Sequence, residues 1–162
     1  MDAEKILTSA DLQAFINENN IVAELVWPGK ATPTVADAAA ALGVLPAQII
    51  KSVLFKANQN HVLVVANGLT RISSKLLADH LGIARRRVRV ASGERVTAVT
   101  GYRPGAVPPF GHLQPIQTVV ESNVLLVEGD VYGGGGETDA LMRLTLAELL
   151  RAVGGEQAAL AE

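Results

Sequence analysis

A lysine interrupts an otherwise apolar, strand-like run at Ile49-Ile50-Lys51-Ser52-Val53-Leu54-Phe55-Lys56. An ammonium group is costly to bury, so a lysine directed toward a core calls for an anion or a water-filled pocket. In an alternating strand Lys51, Val53 and Phe55 share one face, and Ile50, Ser52 and Leu54 share the other. Lys51 is therefore either an edge lysine that discourages aggregation or a cation aimed into a cleft.

Fifty residues on comes a glycine/proline segment running from Gly101 through Tyr102, Arg103, Pro104, Gly105, Ala106, Val107, Pro108, Pro109, Phe110 and Gly111 to His112. Pro108 and Pro109 carry no N–H and fix their φ angles, while Gly105 permits backbone conformations closed to other residues. Backbone donors thus concentrate at Gly105, Ala106 and Val107, and again at Phe110 and Gly111. Amides held by a stiff turn can cradle an anion or a developing oxyanion. The bland alternative is a rigid connector between helix and strand.

Other patterns carry less. Gly133 to Gly136 lack the Gly-Lys-Ser/Thr of a phosphate loop and open no dinucleotide fingerprint, so they read as a mobile hairpin or pocket-rim loop. Arg85, Arg86, Arg87 and Arg89 form the densest cationic cluster, either a phosphate contact or a solvated connection. His61, His80 and His112 lack metal-ligand spacing, so no metal or other cofactor is expected; His112 adjoins the turn. No serine lies in G-x-S-x-G. Asp37, Glu94, Glu121 and Asp139 have nothing in the sequence to pair them.

The bulk composition frames these candidates. The chain has 162 residues, enough for one domain with a substantial core, and its 49% apolar content excludes a disordered chain. Aromatics are only 4%, so the core must be aliphatic. A net charge of −2 provides no global positive field, and no DNA partner is expected. The absence of cysteine removes disulfides and thiol chemistry, and fits a cytoplasmic location. Met1 to Lys5 begin without an apolar signal-like stretch, and no apolar run reaches membrane-spanning length, so no membrane partner is expected.

The elements that must position the candidates alternate irregularly. Helices are predicted from Ala10 to Glu18 after Ser9, from Thr34 to Leu42, from Ser73 or Ser74 to Leu81, over 93–98 behind Ser92, and from Thr145 to about Val153. Strands are predicted at 21–27, 48–56, 61–66, 88–90, 117–121, 124–127 and 140–144, with a hairpin through 58–60. The tail after Gly155 is expected to fray. This is the pattern of one mixed α/β domain over residues 1–162.

The lysine strand, its partner 62–66, the segment from Val99 to Gly111 and the closing stretch 144–150 together resemble the YbaK-type aminoacyl-tRNA deacylases. That superfamily includes the editing insertion domain of bacterial prolyl-tRNA synthetases, and the resemblance covers roughly Thr34 to Gly154. It implies a curved, mostly antiparallel sheet or partial barrel surrounded by helices, and hydrolysis of the ester joining a wrong amino acid to the tRNA 3′ end. The family lysine falls on Lys51 and the family loop on Gly105 through Pro109. Lys51, Gly105, Ala106 and Val107 are then the catalytic candidates, with Ser52, Val53, Phe55, Pro109 and His112 around the substrate. Arg71, Lys75, Arg85 and Arg86 are the candidates for tRNA contact. Aminoacyl-tRNA is the implied partner, and an aminoacyl-tRNA synthetase a further one. Ser52 stands where alanine-specific members carry asparagine and cysteine-specific members threonine, and Gly105-Ala106 replaces the latter's glycine pair, so the amino acid stays unassigned. A non-catalytic aminoacyl-tRNA or nucleotide binding module and a small-molecule acyl-ester hydrolase remain the alternatives.

Overall fold

Hydroxyl side chains start most of the helices. Thr34, Ser73, Ser92 and Thr145 accept from the amides of Asp37, Leu76, Arg95 and Glu148, which satisfies an orphan donor at each helix start. The helices so begun are α2 (Val35–Leu42), α3 (Ser74–Leu81), α4 (Gly93–Thr100) and α5 (Leu146–Val153), after α1 (Ser9–Glu18). The computed structural model describes residues 6–30 and 32–162. The reading of Met1 to Lys5 lies outside them. No described helix is long and apolar enough to cross a membrane.

The strands are β1 (Ala23–Val26), β2 (Ile50–Ala57), β3 (Asn60–Asn67), β4 (Val88–Val90), β5 (Gln117–Glu121), β6 (Val131–Gly134), β7 (Leu141–Leu144) and β8 (Gln157–Ala158). They form a five-stranded sheet in the order β4-β2-β3-β5-β8 and a three-stranded sheet β1-β7-β6. The β2–β3 hairpin is antiparallel from Ile50↔Asn67 to Ala57↔Asn60, while β3–β5 and β5–β8 are parallel. One parallel bridge, Ile49↔Tyr132, links the two sheets. The mixed α/β class expected from the pattern is what forms, with antiparallel and mixed sheets flanked by helices and not closed into a barrel.

β3 is the axis of the core. Val62 to Ala66 are all buried, as a strand covered on both faces requires. On one face Phe55, Val62 and Val64 pack with Leu77 and Ala78 of α3; on the other, Leu54 and Leu63 pack with Tyr102 and Val107.

Three further expectations change. Residues 122–126 form a 3-10 turn rather than a strand. Gly133 and Gly134 belong to strand β6 rather than to a mobile loop. The tail does not fray: Leu160 is fully buried, Ala161 bridges to Ile72, and the Leu160 amide donates to buried Glu121 at 2.9 Å.

Candidate functional site

β4 pairs with β2 only at Phe55, Lys56 and Ala57. Among the described residues the β2 stretch from Ile50 to Val53 therefore has a ladder partner on its β3 side alone, while the Leu54 carbonyl still accepts from the Ala91 amide on the other. A cleft of about 300 Å³ lies at this uncovered stretch. Ile50, Lys51 and Ser52 form one wall, Gly105, Val107 and Gly134 another, and the start of α2 (Thr34, Val35, Ala38) a third.

Lys51 is half-buried, and its Nζ donates to the Thr70 carbonyl at 2.7 Å. That carbonyl sits in a turn braced by Asn67, whose Oδ1 accepts from the Leu69 amide and the Thr70 hydroxyl. An ammonium has three donors, so two are left for a ligand. Desolvation pulls the Lys51 pKa below its ordinary 10.5.

The opposing turn is stapled within itself. The Tyr102 hydroxyl donates to the Gly111 carbonyl at 2.9 Å, and His112 Nε2 donates to the Pro108 carbonyl at 2.7 Å. Burial pushes the Tyr102 pKa up, with the Asp11 charge adding to it. Gly105 takes φ +85°, a conformation that favours glycine. Gly134 of β6 and Gly136 just beyond it press against the turn: the Gly136 amide donates to the Ala106 carbonyl, and a Cβ at Gly134 would lie 2.2 Å from the Val107 carbonyl oxygen.

Among the described residues the amides of Gly105 and Val107 have no hydrogen-bond partner, whereas the Ala106 amide donates to the Arg103 carbonyl at 3.0 Å. Of the three donors expected on the turn, Ala106 is thus already engaged, and its side chain is buried. The cleft brings together Lys51, Ser52, Gly105 and Val107. Val53 and Phe55 share the Lys51 face as alternation requires, but that face is covered by α3, so they pack into the core instead of lining the cleft. Pro109 and His112 line a different concavity, with Phe15 and Phe110.

Among the expected RNA contacts, Arg71 and Lys75 are exposed and ion-paired with Glu162 and Asp79. Arg85 donates to the Val88 carbonyl, and Arg86 lines a concavity with Lys56 and Arg89. Sequence reasoning missed the α2 wall, since Thr34 already has a full explanation as a helix cap. It also missed Thr70, whereas Gly134, expected in a mobile hairpin or pocket-rim loop, does line the cleft. No carboxylate or imidazole lines the cleft among the described residues. The arrangement can hold an anion or polarise a carbonyl, but it supplies no strong general base besides a deprotonated lysine.

A family model described as Aminoacyl-tRNA editing domain matches residues 29–152. The chain is 31% identical over 106 residues to the proline--tRNA ligase of Bacillus licheniformis, covering 65% of this chain and 18% of the ligase. It spans under a fifth of the length of the curated relatives it matches. Among solved structures, a candidate trans-editing enzyme for prolyl tRNA synthetase superposes with a TM-score of 0.88 at 29% identity, covering 95% of this chain and 96% of that one. The hypothetical protein APE2540 superposes at 0.83 with 32% identity over 94% and 99% of the two chains.

Proposed function

Because this chain belongs to the aminoacyl-tRNA editing domain family, we propose that it hydrolyses the ester of a mischarged aminoacyl-tRNA in trans, in the cleft between Lys51 and the Gly105–Val107 turn. The observation that carries this reading is that one cleft is lined by a desolvated cation and by two residues, Gly105 and Val107, whose amides are unpaired among the described residues. Water adds to the ester carbonyl carbon, and the carbonyl oxygen gains the negative charge. The amides of Gly105 and Val107 and the Lys51 ammonium stabilise that oxyanion. The carbon–oxygen bond to the terminal ribose then breaks, the ribose oxygen takes a proton, and the free amino acid leaves. One lost oxyanion donor typically costs about 10²–10³ in rate. An aminoacyl ester is already activated, so positioning and charge stabilisation suffice without a triad.

With no acid or imidazole on the cleft wall among the described residues, the attacking water is activated by the substrate's own amine or hydroxyl groups. The same absence favours a second reading, a module that binds aminoacyl-tRNA without hydrolysing it. A panel of mischarged tRNAs, with free aminoacyl esters as controls, separates the readings. Turnover confined to tRNA esters supports editing, and binding without turnover supports the module. Equal turnover on small esters makes the protein a general acyl-ester hydrolase. The small cleft discriminates by about 1–3 kcal/mol per methylene, so the panel should include glycine, alanine, serine and proline esters.

A further inference from the structure

At the far end of β2 from the cleft, three basic side chains stand in one row across three strands. Lys56 of β2 is directly opposite Arg89 of β4 on one side and His61 of β3 on the other. Directly opposed like charges are unfavourable in a sheet, so the Lys56–Arg89 pair is better accommodated with an anion beside it. Two concavities meet there. One is lined by Lys56, Arg86, Arg87 and Arg89, the other by Lys56, Arg89, Ser92 and Arg95. Among the described residues no carboxylate pairs with Lys56, Arg86, Arg89, Arg95 or Arg103. Glu94, exposed in the first turn of α4, is the nearby acid in sequence and is likewise unpaired. By contrast, Arg71, Lys75, Arg143 and Arg151 each have an acidic partner.

The row is on the side of the sheet that carries Ser52 and Val107 of the cleft, while Lys51 leaves the strand on the other face. Ser52, Leu54 and Lys56 share one face of β2, and Leu54 on that face packs with Tyr102 and Val107 of the turn. Lys56 is four residue steps along the strand from Ser52, about 13 Å at roughly 3.3 Å per residue. The ground between them is also basic. Arg95 is exposed on α4, a Cβ at Gly93 would lie 3.3 Å from Pro104, and exposed Arg103 precedes that proline and leads into Gly105.

We propose that Lys56, Arg89 and Arg95, continued by Arg103 toward the turn, form a phosphate-binding track. It holds the backbone of the RNA strand whose aminoacylated end enters the Lys51 cleft. The proposal rests on the editing reading for the identity of the strand. Phosphates would occupy positions between cations that now repel one another, so binding relieves the like-charge contact while forming charge-assisted hydrogen bonds. His61 marks the same field. Its Nε2 is buried without a partner, and its pKa is held below 6.5 by burial first and then by the charges of Arg95 and Lys56.

The test is anisotropy titration of the whole chain with uncharged tRNA over a series of salt concentrations. Lys56→Ala, Arg89→Ala and Arg95→Ala are compared with Arg143→Ala, whose guanidinium is paired with Glu24. Each of the first three should weaken binding roughly 3–10-fold at low salt and reduce the slope of log K against log salt by about 0.7–0.9. Arg89→Lys, which keeps the charge, should retain most of the slope, and Arg143→Ala should leave it unchanged. Equal weakening by all four alanine variants, or unchanged binding and slope for the first three, overturns the track. Because uncharged tRNA is the probe, the result is independent of turnover. Normal slopes with intact deacylation sink the track alone, whereas reduced slopes without any deacylation support the track and sink the editing reading.

Discussion

The ammonium of Lys51 donates to the main-chain oxygen of Thr70 at 2.7 Å, so this cation of the cleft is held by backbone rather than by an acid. A carboxylate partner would neutralise Lys51 and compete with a ligand for it; a carbonyl orients the amine and leaves its charge available. The stability of the fold should then owe little to this residue, because desolvation of the charge offsets its single hydrogen bond. Lys51→Met should melt within about 2–4 °C of the parent, the shift equivalent to about 1 kcal/mol in a chain of this size. A larger fall in a thermal scan would make Lys51 a structural residue.

Gly134 offers a sharper structural test. A methyl group there meets the Val107 carbonyl oxygen at 2.2 Å, and the carbonyl carbon at 2.7 Å, so turn and strand must separate. Gly134→Ala should cost about 1–3 kcal/mol by overpacking and lower the deacylation rate of the protein that still folds. Unchanged melting temperature and unchanged rate would show that the turn is not clamped by β6.

The C-terminal segment contributes to the core. Leu160 lies with Phe55, Val64 and Leu77, and its amide is held by Glu121. Leu160→Ala should destabilise by about 2–5 kcal/mol in urea unfolding. A change under about 0.5 kcal/mol, the range usual for surface positions, would return the tail to a frayed end.

His112 makes stability depend on pH. Burial lowers its pKa below 6.5, and the bond to the Pro108 carbonyl offsets only part of that. The unfolded chain therefore takes up the proton at a higher pH than the folded one. Stability should be full above 6.5, fall as pH drops from there toward the folded-state pKa, and level off below it. His112→Gln keeps a donor for Pro108 and removes the titration, so its melting temperature should fall less between pH 7 and pH 5. His61 shifts in the same direction and leaves a residual slope. Parallel pH profiles for parent and variant would remove His112 as a source.

Local chemistry made the helix starts legible: Thr34, Ser73, Ser92 and Thr145 each precede a helix for a reason visible in four or five residues. The hairpin and the Lys51 face followed from alternation in the same way. What failed was non-local. Val124 to Val127 is a short apolar run, which periodicity cannot assign, and it coils because Glu121 accepts from the Asn123 amide. The glycines of β6 looked mobile because a sequence does not show which backbone will press against them. Leu160 looked frayed because a lone leucine carries no period. The site divides similarly. Lys51 and the turn announced themselves by type and spacing, but Val53, Phe55 and His112 were drawn in by proximity in sequence. Only the α3 cover and the Pro108 bond remove them from the cleft.

The most direct test is single-turnover deacylation of the best mischarged tRNA by the parent and by Lys51→Ala, with circular dichroism to verify folding. The cleft geometry predicts a loss of at least about 100-fold in the chemical step with the folded spectrum retained. A folded Lys51→Ala variant that releases the amino acid at near the parent rate contradicts the central claim.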